Sequence, residues 1–135
     1  MATRYLLDSN ILIAATKGEP GALLNRLAGM SSERLCLSAV VLAELLAGAE
    51  KSQTPGANKA ALDVITKGME TLTFDANDAA AYGRIRAALE RKGHPIGPLD
   101  MLIAAQAVSR DLVLVTANLR EFRRVPNLVC ENWMK

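Results

Sequence analysis

The sequence predicts an α/β fold, a five-stranded parallel sheet with helices over both faces, in one domain spanning residues 1–135. Three observations carry this. Short, mostly apolar runs of strand length recur along the chain, at Tyr5 to Leu7, Arg34 to Ser38, Thr71 to Phe74, Leu112 to Val115 and Leu128 to Glu131. Between them lie longer segments whose apolar residues return at helical spacing. The runs are too apolar for a sheet with one wet face, so each must be a buried strand reached by a right-handed helical crossover.

The elements follow in order. Tyr5 to Leu7 is the first strand, and Ile11 to Ala15 is the apolar face of the next helix, with the turn chemistry of Asp8, Ser9 and Asn10 between them. Lys17 to Pro20 is a polar break, after which Leu23, Leu24 and Leu27 mark one face of a short helix closed by Ser31 and Ser32. Ser38, at the end of the second strand, is placed to cap a helix over Ala39 to Lys51 whose apolar residues nearly surround it. A loop over Gln53 to Ala57 leads to an amphipathic helix, Asn58 to Glu70, and then to the third strand. Asp75 caps a long helix, Ala76 to Lys92, with Ala80, Ile85 and Leu89 inward, and Gly93 ends it. The loop GHPIGP then opens a nearly all-apolar, hence buried, helix over Leu99 to Val108 with Pro98 at its start. Thr116 to Val125 is a polar, arginine-bearing loop or turn of helix before the last strand.

Composition excludes several function classes. Sixteen basic against fourteen acidic residues leave a net charge of +2, too slight for a general nucleic-acid field, so a polyanion would be met by a local cluster such as Arg120, Arg123 and Arg124. The start, MATRYLLDSN, lacks a signal-peptide layout, and no apolar run reaches the roughly 18 residues a membrane span needs. A soluble protein of the cytoplasm, with no membrane partner, is expected. Cys36 and Cys130 stand in separate strand-like runs with no neighbouring ligand residue, which argues for two buried free thiols rather than zinc or a disulfide. His94 reads as a turn residue.

Three acids break the pattern. Asp8, Glu44 and Asp100 each stand alone in a run that otherwise asks for burial: LLDSNILI, VVLAELLAG and PLDMLIAA. An ionised carboxylate removed from water without a partner costs several kcal/mol, and no Lys or Arg lies in those runs. A divalent cation would compensate, and oxygen-only ligands select a hard ion, Mg²⁺ or Mn²⁺. Simpler roles exist: Asp8 suits a helix cap, Asp100 suits a first turn through the helix macrodipole, and Glu44 could reach the rim of its helix. The coincidence of all three favours a site.

In LLDSN, SAVVLAELLAGAEKS, IGPLDMLIAAQAV and VTANLREFRRVPNLVCENW, in that order and spacing, the sequence resembles the PIN-domain ribonucleases, and within them the VapC toxins of bacterial toxin–antitoxin pairs. The resemblance covers essentially the whole chain. It implies a PIN-like three-layer α/β/α sandwich with strand order 3-2-1-4-5, so that Asp8 and the Thr116 to Asn118 turn flank one crevice. Carried over, the family's metal-binding catalytic acids fall on Asp8, Glu44 and Asp100, and its small polar residues on Ser9, Asn10 and Thr116. Asn118 stands where many relatives have a fourth acid, with Glu121, three residues on, as the alternative. The implied activity is Mg²⁺- or Mn²⁺-dependent cleavage of structured RNA, tRNA foremost, with Arg120, Arg123 and Arg124 on phosphates. The implied partners are a second copy of the chain and an antitoxin whose tail blocks the site. Two rivals remain at this stage: a phosphoacceptor signalling module built on Asp8, Asp75 and Thr116, and an inert interaction domain on the same fold.

Overall fold

The computed structural model describes residues 2–135 and contains a single five-stranded sheet, all parallel, in the order β3-β2-β1-β4-β5. The elements are β1 (Tyr5–Leu7), α1 (Ser9–Lys17), α2 (Gly21–Ala28), a 3₁₀ turn (Ser32–Arg34), β2 (Leu35–Ser38), α3 (Ala39–Lys51), α4 (Pro55–Thr66), β3 (Glu70–Leu72), α5 (Ala76–Arg91), α6 (Pro98–Ser109), β4 (Val113–Val115), α7 (Leu119–Phe122) and β5 (Cys130–Glu131). In the central strands neighbouring residues, which face opposite sides of a sheet, are both buried: Leu6 and Leu7 in β1, and all four residues of β2. Both faces are therefore covered, as the apolar runs require.

The order brings β1 and β4 side by side, with Leu7 opposite Val115, and the ladder runs one residue further because the Asp8 amide donates to the Val115 carbonyl at 3.0 Å. The chain leaves β1 for β2 and β3 on one side and crosses to β4 and β5 on the other, so the crevice beyond the carboxyl ends of β1 and β4 is where such an α/β sheet binds ligands. The tail closes the other side of the core. Trp133 is buried against the Tyr5 ring at 5.0 Å, with the Arg26 guanidinium 4.7 Å over it and its indole N–H donating to Glu131.

Several boundaries differ from the sequence reading. α4 begins at Pro55, inside the expected loop, because proline is well suited to the first helical position, where no N–H is needed. It ends at Thr66, and β3 starts at Glu70, so the expected helix ran four residues too far. In α5 Ala81 is buried and Ala80 exposed, a one-residue error in the inward face. The largest departure is α3: only Val41 and Ala49 are buried, and Leu46 is exposed. Its apolar residues do not signal a helix sunk in the core.

Candidate metal-binding active site

Asp8 is 3 % exposed, and each of its carboxylate oxygens has a different duty. Oδ1 accepts from the Ser9 amide at 2.8 Å, capping α1, while Oδ2 accepts from the Thr116 hydroxyl at 2.8 Å. The cap and the site are thus compatible readings of one residue. Thr116, fully buried just past β4, is held by its own amide on the Glu131 carbonyl at 2.9 Å, and its hydroxyl accepts from the Asn118 amide at 3.0 Å. The Asn118 side-chain amide in turn donates to Glu121 at 3.1 Å. Asn118, the residue at the position carried over from the family, is thus hydrogen-bonded on both sides, to Thr116 through its backbone and to the Glu121 carboxylate through its side chain.

Asp100 enters from the opposite helix. Gly97 caps α6 without a side chain, Pro98 occupies its first turn, and Asp100 follows at the end of that turn, half-buried. Burial, then the charges of Asp8, Glu121 and Glu44, push its carboxyl up from 3.8 to about 6. Glu44, on α3, is raised by burial and then by Asp8. Asp100 thus feels acids from three other segments, and Glu44 feels Asp8. Among the described residues, none of Asp8, Glu44, Asp100 and Glu121 has a basic partner in an ion pair.

Glu44 corrects one expectation: it is exposed rather than enclosed by its apolar neighbours. Those neighbours line a cleft of about 350 Å³ between α1, α3 and α4, where Leu12, Ile13, Leu45 and Leu62 form the walls and Glu44 and Lys17 are the charged groups. Ser9 and Asn10 lie in the first turn of α1, Ser9 half-buried beside Asp8 and Asn10 exposed. Arg120 and Arg123 are exposed on the α7 turn, whereas the half-buried Arg124 donates to the Pro95 carbonyl at 3.2 Å. His94 is exposed in its turn. The receiver-like triad does not assemble, because Asp75 is engaged in capping α5 and pairing with Arg110 at 3.5 Å.

The donor set suits a hard divalent ion. All donors are oxygen, with no histidine or thiol among them, and the carboxyls of Asp100 and Glu44 are raised first by burial and then by neighbouring carboxylates. Among the described residues no three acids are drawn close enough to cage an ion by themselves. Mg²⁺ in particular keeps several waters and is held through one or two carboxylates, so an open arrangement fits it better than a closed cage.

The family model for the PIN domain matches residues 5–128. The chain is 42 % identical over 130 residues to the tRNA(fMet)-specific endonuclease VapC of Salmonella typhimurium, covering 96 % of this chain and 98 % of that one. It is 39 % identical over 132 residues to ribonuclease VapC2 of Rickettsia felis, covering 97 % and 98 %. Among solved structures it is similar to VapBC2 from Rickettsia felis bound to a DNA fragment from the promoter, with TM-score 0.91, 38 % identity and coverage of 97 % and 99 %. DNA-bound VapBC from Salmonella typhimurium also gives TM-score 0.91, at 42 % identity and coverage of 98 % and 99 %.

Proposed function

The chain belongs to the PIN-domain family, among its VapC ribonucleases, and from that premise we propose a Mg²⁺- or Mn²⁺-dependent endoribonuclease that cleaves structured RNA and serves as the toxin of a toxin–antitoxin pair. The observation that supports the reading is the electrostatic effect of Asp8 and Glu44 on Asp100, and of Asp8 on Glu44, across the β1–α1 junction, α3 and α6, with no ion-pair partner for any of the three among the described residues. Asp8, Asp100 and Glu44 are the residues that would hold the ion, with Glu121 beside Asp100 and Asn118 orienting it. A bound ion would supply Lewis acidity, lowering the pKa of a water and offsetting charge on the scissile phosphate. Thr116 keeps Asp8 oriented, and the cap bond from Ser9 holds its other oxygen. Arg120 and Arg123, exposed on the same turn, are placed to meet phosphates flanking the cleaved bond.

Transfer RNA is the substrate class this reading favours, because a relative of 42 % identity is named for it. The partner is a cognate antitoxin, as the VapBC neighbours suggest. Glu44 lines the apolar cleft between α1, α3 and α4, so a partner helix seated there would cover that acid. A homodimer in the cytoplasm completes the proposal; Val64, 73 % exposed, and Leu46 are apolar side chains available for contacts. No helix among the described residues is long and apolar enough to cross a membrane.

The test is cleavage of a total tRNA pool by the purified protein with Mg²⁺, with Mn²⁺ and with EDTA, alongside Asp8→Asn. The parent should cut only with metal and the variant should not cut. Cleavage that survives both EDTA and Asp8→Asn would end the metal-nuclease reading.

A further inference from the structure

The α7 turn is fastened to the site at two ends. At one end Thr116 and Asn118 join it to Asp8 and Glu121 through three hydrogen bonds, of 2.8, 3.0 and 3.1 Å. At the other, three residues beyond Glu121 on the same helical turn, the Arg124 guanidinium donates to the Pro95 carbonyl at 3.2 Å. The turn itself is rigid: the Arg124 amide bonds the Glu121 carbonyl at 3.0 Å, and Phe122 and Val125 are buried in the core on either side. Pro95 belongs to the loop that feeds α6, five residues before Asp100, and nothing else among the described residues ties that loop to the α7 turn by a side-chain hydrogen bond.

We propose that Arg124 is a positioning residue of the metal site rather than a phosphate contact: by holding the Pro95 carbonyl it fixes the approach of Glu121, on the α7 turn, to Asp100, at the start of α6. This rests on the metal-site reading given above. It separates the three arginines of the turn by role. Arg120 and Arg123 are exposed, and Arg124 is half-buried with one donor on the protein's own backbone.

Calorimetric titration of Mn²⁺ into the RNA-free protein, together with tRNA binding in EDTA over a range of salt, distinguishes the roles. Arg124→Ala should weaken Mn²⁺ binding about 10-fold, the scale of losing a group that orients a metal ligand. Arg124→Lys, which keeps a donor within reach of Pro95, should recover most of that loss, and Arg124→Gln, which is shorter, should not. Metal-free tRNA affinity and its salt slope should be unchanged in all three. Arg123→Ala should do the reverse, leaving Mn²⁺ affinity alone and reducing the salt slope by about one. If Arg124→Ala instead lowered the salt slope and left Mn²⁺ binding intact, Arg124 would be a phosphate contact and the proposal would fail. Asp100→Asn is the control: unchanged Mn²⁺ binding in that variant would show that the metal-site reading is at fault, and the tether with it. Circular dichroism identifies any variant that fails to fold, and the Lys and Gln pair still decides the matter if the Ala variant does.

Discussion

Asp100 carries the clearest consequence at the scale of a single residue. Its folded pKa, raised from 3.8 to about 6, means that the metal-free native state binds a proton more tightly than the unfolded chain does. Deprotonation therefore costs stability, which should fall as pH rises from about 4 through 6 and then level off. Asp100→Asn removes the repelled charge and should stabilise the metal-free protein at pH 7.5 by about 1 kcal/mol, less than the full shift implies because solvent screens a half-exposed group. Thermal melts at pH 5 and 7.5 in EDTA would check this, and an Asn variant less stable than the parent at pH 7.5 would contradict it. Metal reverses the sign: ligand carboxylates must be ionised, so Mn²⁺ affinity should fall as pH drops below about 6.

At the scale of elements, the pairing of α5 with α6 rests on an ion pair that the sequence did not announce. Asp78, fully buried, completes a capping box with Asp75 and is bonded by Arg110 at 3.0 and 3.3 Å and by the Ser109 hydroxyl. Burial alone would raise its carboxyl, yet the hydrogen bonds from Arg110, Ser109 and the Asp75 amide hold it below the ordinary value. A depressed folded pKa contributes stability above the unfolded value that is lost as pH falls through the folded one, so this pair weakens only under strongly acid conditions. Arg110 also reaches the Thr73 carbonyl at 2.6 Å, joining the end of β3 to both helices. Asp78→Ala removes the capping-box bond and the nearer acid of Arg110, leaving the guanidinium to Asp75 and the Thr73 carbonyl, and should destabilise the fold by about 3 kcal/mol, measurable by urea denaturation. A loss under about 1 kcal/mol would mean that solvent relieves Arg110 without its partner.

For the whole molecule, the strand order fixes the fate of the cysteines. Cys36 is opposite Leu6, Leu6 opposite Leu114, and Leu114 opposite Cys130, so the two thiols share one row of the sheet with two strands between them. Three strand spacings of about 4.8 Å exceed the roughly 7 Å that a disulfide spans. Both cysteines are free, and burial pushes the Cys36 thiol up to about 11 and raises Cys130 as well. Alkylation of the native protein at pH 8 should be slow at Cys36, and the denatured, unreduced chain should take up two blocking groups by mass. Uptake of none would imply a bridge and a different sheet.

The sequence by itself determined the strands, the crossovers and hence the parallel sheet, because burying a short apolar run on both faces leaves few alternatives. It also drew attention to Asp8 and Asp100, since an acid inside an apolar run has an energetic cost visible without coordinates, whereas the same argument misjudged Glu44, which is exposed. Family resemblance, not periodicity, supplied the order 3-2-1-4-5. What only the tertiary structure decided was which side chains meet and which stay in water: the exposure of Glu44 on α3, the hydrogen bond of Asn118 to Glu121, that of Arg124 to Pro95 and the burial of Asp78 against Arg110. Apolar periodicity reports which residues must leave water. It does not report which polar side chains meet once they have, because hydrogen bonds and ion pairs depend on distances that are set only when the helices pack on the sheet.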